Sequence, residues 1–224
     1  MSPSHSGSSR FFSAIALTLV ISVGLGEFYT FINARLHLAP WIGVLIAHGA
    51  LSAFLYLTTK SIRTSLTLRG GPLMPWLAAP LVLLGAWLLA MGTPRDGISY
   101  APTGSSEVIY ALATLTVIPL VEEIVFRGAI SPFVSRFTGP WSGVWFGALV
   151  FSMAHSNPTW NRLIAFKVGL PIGPFLLAIC CDMIVRRWGR IWPAVAFHGA
   201  CNATVYIFAN LNPSWIRHFG GLYM

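Results

Sequence analysis

Residues 121–128 read VEEIVFRG, two adjacent carboxylates and a guanidinium inside an apolar run that extends over residues 108–130. A helix needs about 20 apolar residues to cross a hydrocarbon core about 30 Å thick, and this run has that length. An ionisable side chain placed there costs several kcal/mol and normally faces a bundle interior or a watery cavity. The stretch therefore points to a membrane helix that carries more than lipid-facing packing.

Composition agrees. The chain has 224 residues, 55% hydrophobic and 9% charged, where an average soluble domain has roughly 25% charged. Its mean hydropathy is +0.71. With six Asp and Glu in the whole chain, Glu122 and Glu123 are a third of that inventory. The net charge of +8 does not imply nucleic acid: such binders gather Lys and Arg on one face, whereas these are scattered between apolar runs. Cys180, Cys181 and Cys201 lie inside apolar runs without the spacing of a zinc site or a disulfide framework, and read as small buried hydrophobes.

The same ruler gives about seven candidate spans, 11–33, 41–59, 73–92, 108–130, 141–156, 168–185 and 191–211. The expected fold is an all-α polytopic helix bundle. It is expected to form a single integral membrane domain over 1–224, with a polar N-terminal tail at 1–10 and core helices that carry most of the buried ionisable residues at 108–210. The first apolar run is too long for the h-region of a signal peptide, about 7–15 residues, and is expected to be a retained helix. Seven spans put Arg10, Lys60, Arg63, Arg69, Arg136, Arg186, Arg187 and Arg190 on one side. Arg35, Arg95, Arg162, Lys167 and Arg217 fall on the other. The excess predicts a cytoplasmic N-terminus, with the protein multi-pass in the cell (inner) membrane.

The ionisable and amide residues within the runs are Glu27, His48, Glu122, Glu123, Arg127, His155, Asp182, His198 and Asn202. Glu123 and Arg127 are four apart, acid first, and can pair on one helix face. Glu122 is rotated from Glu123 by about 100°, which leaves it the chemically available carboxylate. Asp182 can pair likewise with Arg186. If the chain turns at Thr138-Gly139-Pro140, Glu122 and His155 each lie about 16 residues from that turn, at matched depth in an antiparallel hairpin. Pro119 and Pro132 kink such a helix without forbidding it. His198 and Asn202, again four apart, suit hydrogen bonding to a developing oxyanion, or equally a bond between helices. Cys201 in an apolar helix lacks the cation or base that a reactive thiol needs. Glu27 and His48 are expected to be structural or gating groups.

Glu122-Glu123-x-x-x-Arg127, Phe151-x-x-x-His155 and His198-x-x-x-Asn202 together resemble the three-motif signature of the CPBP family. This is the CAAX-protease and bacteriocin-processing group of intramembrane proteases, also called the Abi family. Gly128 after the arginine and Trp192-Pro193 before the histidine fit the same pattern. The resemblance spans about half of the chain, and the first three spans share only their hydrophobicity with it. It implies an endopeptidase acting on a membrane-tethered protein or peptide. Glu122 would activate water, His155 would help position it, His198 and Asn202 would bind the oxyanion, and Glu123 and Arg127 would hold the site together. No cofactor is expected. Zinc is a possible alternative, since carboxylates and histidines are its ligands, although no HExxH pair is present. A non-proteolytic binding or immunity scaffold and a proton-coupled transporter are the readings of other classes. The expected partners are the lipid bilayer and the tethered substrate.

Overall fold

The computed structural model describes residues 5–36, 40–66, 109, 112–156 and 158–211. The expected span 73–92 and the residues Arg69, Arg95, Asp96, Glu107 and Arg217 lie outside these. The described residues are all-helical: α1 His5–Leu36, α2 Pro40–Thr58, α3 Lys60–Ser65, α4 Val117–Val125, a π-helical turn Phe126–Ile130, α5 Ser131–Thr138, α6 Pro140–Ala154, α7 Trp160–Ile164, α8 Ile172–Trp188 and α9 Trp192–Leu211. Among them one stretch, Phe12–Arg35 of α1, is long and apolar enough by itself to cross a membrane, and Leu45–Thr58 is a shorter apolar helix.

Several boundaries differ from the sequence expectation. Helix α1 starts at His5, within the stretch read as a polar tail. The run 168–185 becomes helical only at Ile172, after Pro171, and continues to Trp188. There Gly189, at φ 63°, adopts the left-handed conformation that closes a helix with little steric cost, and its N–H bonds the Val185 carbonyl at 2.7 Å. The short helices α3 and α7 were not foreseen, being too brief for a periodic signal.

The hairpin at Thr138-Gly139-Pro140 forms as the sequence implies. Gly139, at φ 92°, takes a backbone conformation that L side chains rarely adopt, and Pro140 starts α6 with its preset φ. Helix α6 is the centre of the bundle, packed on α1, α5 and α8, while α4 packs on α2 and α9. Val125, Phe126, Ala148, Val150, Phe151 and Ala178 make the core between them. The α5–α6 seam is close because it is built from glycine against serine: a Cβ at Gly143 would lie 2.8 Å from Ser135 Cα, and one at Gly147 would meet Ser131 Oγ.

The long helix from α4 to α5 is interrupted by its π turn, in which Ser131 N–H reaches back five residues to the Phe126 carbonyl. Proline explains part of this. In a regular helix the Pro132 ring would clash with the carbonyl four residues back, and the wider turn relieves that crowding. Pro119 sits in the first turn of α4, where a missing N–H leaves no gap in the ladder.

The described loops sort to two ends. Ile191 N–H bonds the Ser65 carbonyl at 3.0 Å, the Trp192 indole bonds the Leu66 carbonyl, and Arg186 Nη2 bonds the Pro140 carbonyl at 2.7 Å. These contacts bring Lys60, Arg63, Arg136, Arg186, Arg187 and Arg190 to one end. At the other, Glu27 accepts from Trp160 N–H at 2.8 Å and Ser156 Oγ bonds the Gly169 carbonyl at 2.6 Å, alongside Arg162 and Lys167. Glu27 is thus an anchor for the first turn of α7.

A side chain at Gly143 has no flexible neighbour to displace. Gly143→Val is expected to destabilise the protein by about 1–3 kcal/mol through overpacking, whereas Gly24→Ala, with nothing within 4 Å of the added Cβ, is expected to be neutral or slightly stabilising. Thermal unfolding of both variants in detergent micelles checks the contrast.

Candidate active site

The charged residues of VEEIVFRG occupy the end of α4 and the π turn, and all three are buried. Arg127 Nε lies 3.1 Å from Glu123 Oε2, so the pairing implied by the four-residue spacing forms. A second acid joins it from α8: Asp182 Oδ2 is 3.9 Å from the same Nε and accepts from Ser131 Oγ at 3.0 Å. This corrects the expected Asp182–Arg186 pair. Arg186 is exposed at the basic end and bonds the Pro140 carbonyl and, at 3.3 Å, Ser135 Oγ. The long-range pair prevails because Arg127 lies where water cannot reach its charge.

His198, 2% exposed on α9, bridges the two glutamates. Its Nδ1 is 2.9 Å from Glu123 Oε1 and its Nε2 is 3.7 Å from Glu122 Oε2. Since a carboxylate only accepts, Nδ1 carries the hydrogen. Glu123 is therefore held at Oε1 by a hydrogen bond from the imidazole and at Oε2 by the charge of the guanidinium. Glu122 stands just beyond hydrogen-bond length from His198, and among the described residues no hydrogen bond to its carboxylate is formed.

His155 caps α6 at the end opposite the hairpin turn and is exposed. Its Nδ1 donates to the Phe151 carbonyl at 2.8 Å, so in the neutral ring Nε2 is left as an acceptor. Asn202 is half-buried on the same helix as His198, and its Nδ2 donates to the Thr114 carbonyl at 2.9 Å, tying α9 to the chain just before α4.

The Phe151 ring is what these groups share. It is fully buried and meets the Phe126 ring edge-on at 4.9 Å, His198 at 5.8 Å and His155 at 4.6 Å between centroids. The Arg127 guanidinium carbon lies 4.7 Å from its centroid, a cation–π contact. Sequence spacing placed Phe151 as a motif position and missed this packing role; its position four residues before His155 was the available signal.

The cysteines divide. Cys181 is buried and its thiol faces the Ala194 carbonyl at 3.8 Å, as a small packing residue does, but Cys180 is exposed, against the expectation that all three are buried. Among the described residues no group of three or more His, Cys, Asp or Glu is placed to hold a metal ion. Glu123 and His198 do not fit a ligand set in this arrangement, because each is already turned to a protein partner.

An all-helical bundle holding two adjacent carboxylates beside a buried arginine and two histidines that share one phenyl ring defines a class of polar site seldom needed for packing alone. Residues 104–204 match the family described as type II CAAX prenyl endopeptidase Rce1-like, a CPBP family. The family is one of integral membrane proteases. No curated protein and no solved structure matches the chain.

Removing one partner of a buried ion pair leaves an uncompensated charge and costs about 3–5 kcal/mol. Arg127→Met is expected to lose about that much stability, and Glu123→Gln/Arg127→Met to lose less than the sum of its two single variants. Detergent thermal melts of the four proteins measure this; strictly additive losses would show that the two groups do not act together.

Proposed function

We propose that the chain is an intramembrane endopeptidase that hydrolyses a peptide bond of a membrane-tethered protein or peptide, with Glu122 as the general base. The observation that carries this reading is the division of labour between the two glutamates. Glu123 is occupied by Arg127 and His198, whereas Glu122, on the same turn, keeps its carboxylate free of hydrogen bonds from the described residues.

The steps follow from this chain's own groups. Glu122 takes a proton from water, and the resulting hydroxide attacks the scissile carbonyl carbon. His155 Nε2, an acceptor beside the site, helps hold that water. The tetrahedral oxyanion receives hydrogen bonds from His198 and from the second N–H of Asn202. With Nδ1–H already on Glu123, His198 donates to the oxyanion through Nε2 only when the ring carries both protons. Glu122 then returns its proton to the leaving amine, which balances the reaction.

The site sits in a multi-pass domain of about seven spans in the cell membrane, with the bilayer and the tethered tail as its partners. The basic end faces the cytoplasm with the N-terminus, as the bias of Lys and Arg in short loops directs. Fifteen residues of α6 rise about 22 Å, short of the hydrocarbon thickness of about 30 Å. His155 therefore lies within the depth of the membrane, where a tail entering from the lipid meets the carboxylates.

Glu122→Gln keeps the size of the side chain and removes the base, so kcat is expected to fall by about 10²–10⁴-fold. The assay is cleavage of a panel of membrane-tethered C-terminal tails by purified protein, with and without a strong chelator. Activity lost in the variant and kept under chelation supports the glutamate mechanism. Full activity in the variant sinks it, and loss on chelation redirects the chemistry to zinc.

A further inference from the structure

Helices α1 and α2 lie outside the family match, yet they bring a buried polar pair to the same place. Tyr29 and His48 are 6% and 3% exposed. The Tyr29 hydroxyl and His48 Nε2 are hydrogen-bonded, and the two rings meet edge-on at 5.3 Å between centroids. His48 also packs edge-on against Phe126, at 5.9 Å. Phe126 follows Glu122 by four residues and so shares its face of the long helix. Ser52, one turn beyond His48 on α2, donates to the carbonyl of Val121 at 3.0 Å, which fixes this face of α2 against the residue before Glu122.

The chemistry of the pair is directional. A phenol donates better than it accepts, so Tyr29 O–H points to Nε2 and the hydrogen of the neutral imidazole resides on Nδ1. Nδ1 is buried and has no hydrogen-bond partner among the described residues. A buried donor left unmatched is costly, and packing alone does not call for it when a phenylalanine would fill the space. On the helix face that His48 and Ser52 pack against, through Phe126 and Val121, the carboxylate of Glu122 is free of hydrogen bonds from the described residues.

We propose that Tyr29 and His48 form a positioning pair for Glu122, with His48 Nδ1–H orienting the carboxylate, directly or through a bound water, and Tyr29 fixing the His48 ring. The inference rests on the reading of Glu122 as the base. It makes the first two helices part of the reaction site and not only its support.

The test compares wild type, Glu122→Gln, Tyr29→Phe, His48→Leu and His48→Gln on the tail from the panel that wild type cuts best. Tyr29→Phe is expected to lower kcat by about tenfold, and His48→Leu by about 10–100-fold, as misplacement of a reacting group does. KM and thermal midpoint should stay near wild type, and His48→Gln, which keeps a donor, should recover part of the loss. Should His48→Leu fail to fold, Tyr29→Phe decides alone. Wild-type kcat in Tyr29→Phe and His48→Leu alongside an inactive Glu122→Gln overturns this inference and leaves the base assignment standing. An active Glu122→Gln, or a wild type that cuts no tail, overturns both.

Discussion

A guanidinium taken out of water determines how the middle of this bundle is built. Arg127 is fully enclosed, and a charge in that position persists only if acids come to it. Glu123 comes from one turn earlier in the same helix and Asp182 from α8, with Ser131 holding the aspartate in turn. The phenyl face of Phe151 covers the cation from α6. Three separate stretches of chain are thereby drawn to one point. His198 then joins from a fourth through Glu123, so the arrangement of the catalytic candidates follows from the need to neutralise one arginine.

Much of this was legible because helices make local chemistry readable. Residues four apart share a face, which sufficed for Glu123 with Arg127 and for His198 with Asn202 lying on one side of α9. A glycine-proline pair between two apolar runs sufficed for the hairpin that sets α6 against α5. What spacing cannot carry is the choice between a near partner and a far one. Asp182 has Arg186 one turn away and pairs with Arg127 instead, since burial of the other acids and the cation is a property of the packed bundle. Tyr29 is silent in the sequence for a related reason: a tyrosine in an apolar helix looks like any other large side chain until its hydroxyl has a partner. His48 appeared as a lone polar residue, and its meaning depends on helix α1, nineteen positions earlier.

Irregular elements escaped the sequence for a different reason. Helix α3 is six residues long and α7 five, too short to show a period, yet both matter to the ends of the bundle. Ile62 of α3 is 2% exposed and packs on the backbone at Gly128, where a Cβ would come within 3.1 Å of it. Glu27 of α1 holds the start of α7. The first secures the chain immediately beside Arg127, the second five residues after His155.

The π turn at Phe126–Ile130 also acts as a change of phase. A turn that holds one residue more than its neighbours rotates everything beyond it by about 100° relative to an unbroken helix. Upstream, Glu122 and Glu123 face the imidazole of α9; downstream, Ser131 and Ser135 face the glycines of α6. One rod thus serves two partners that do not lie on a single line. The number of residues in that turn is consequently as constrained as their identity, for a chain one residue shorter there would bring either the acids or the serines to bear, but not both.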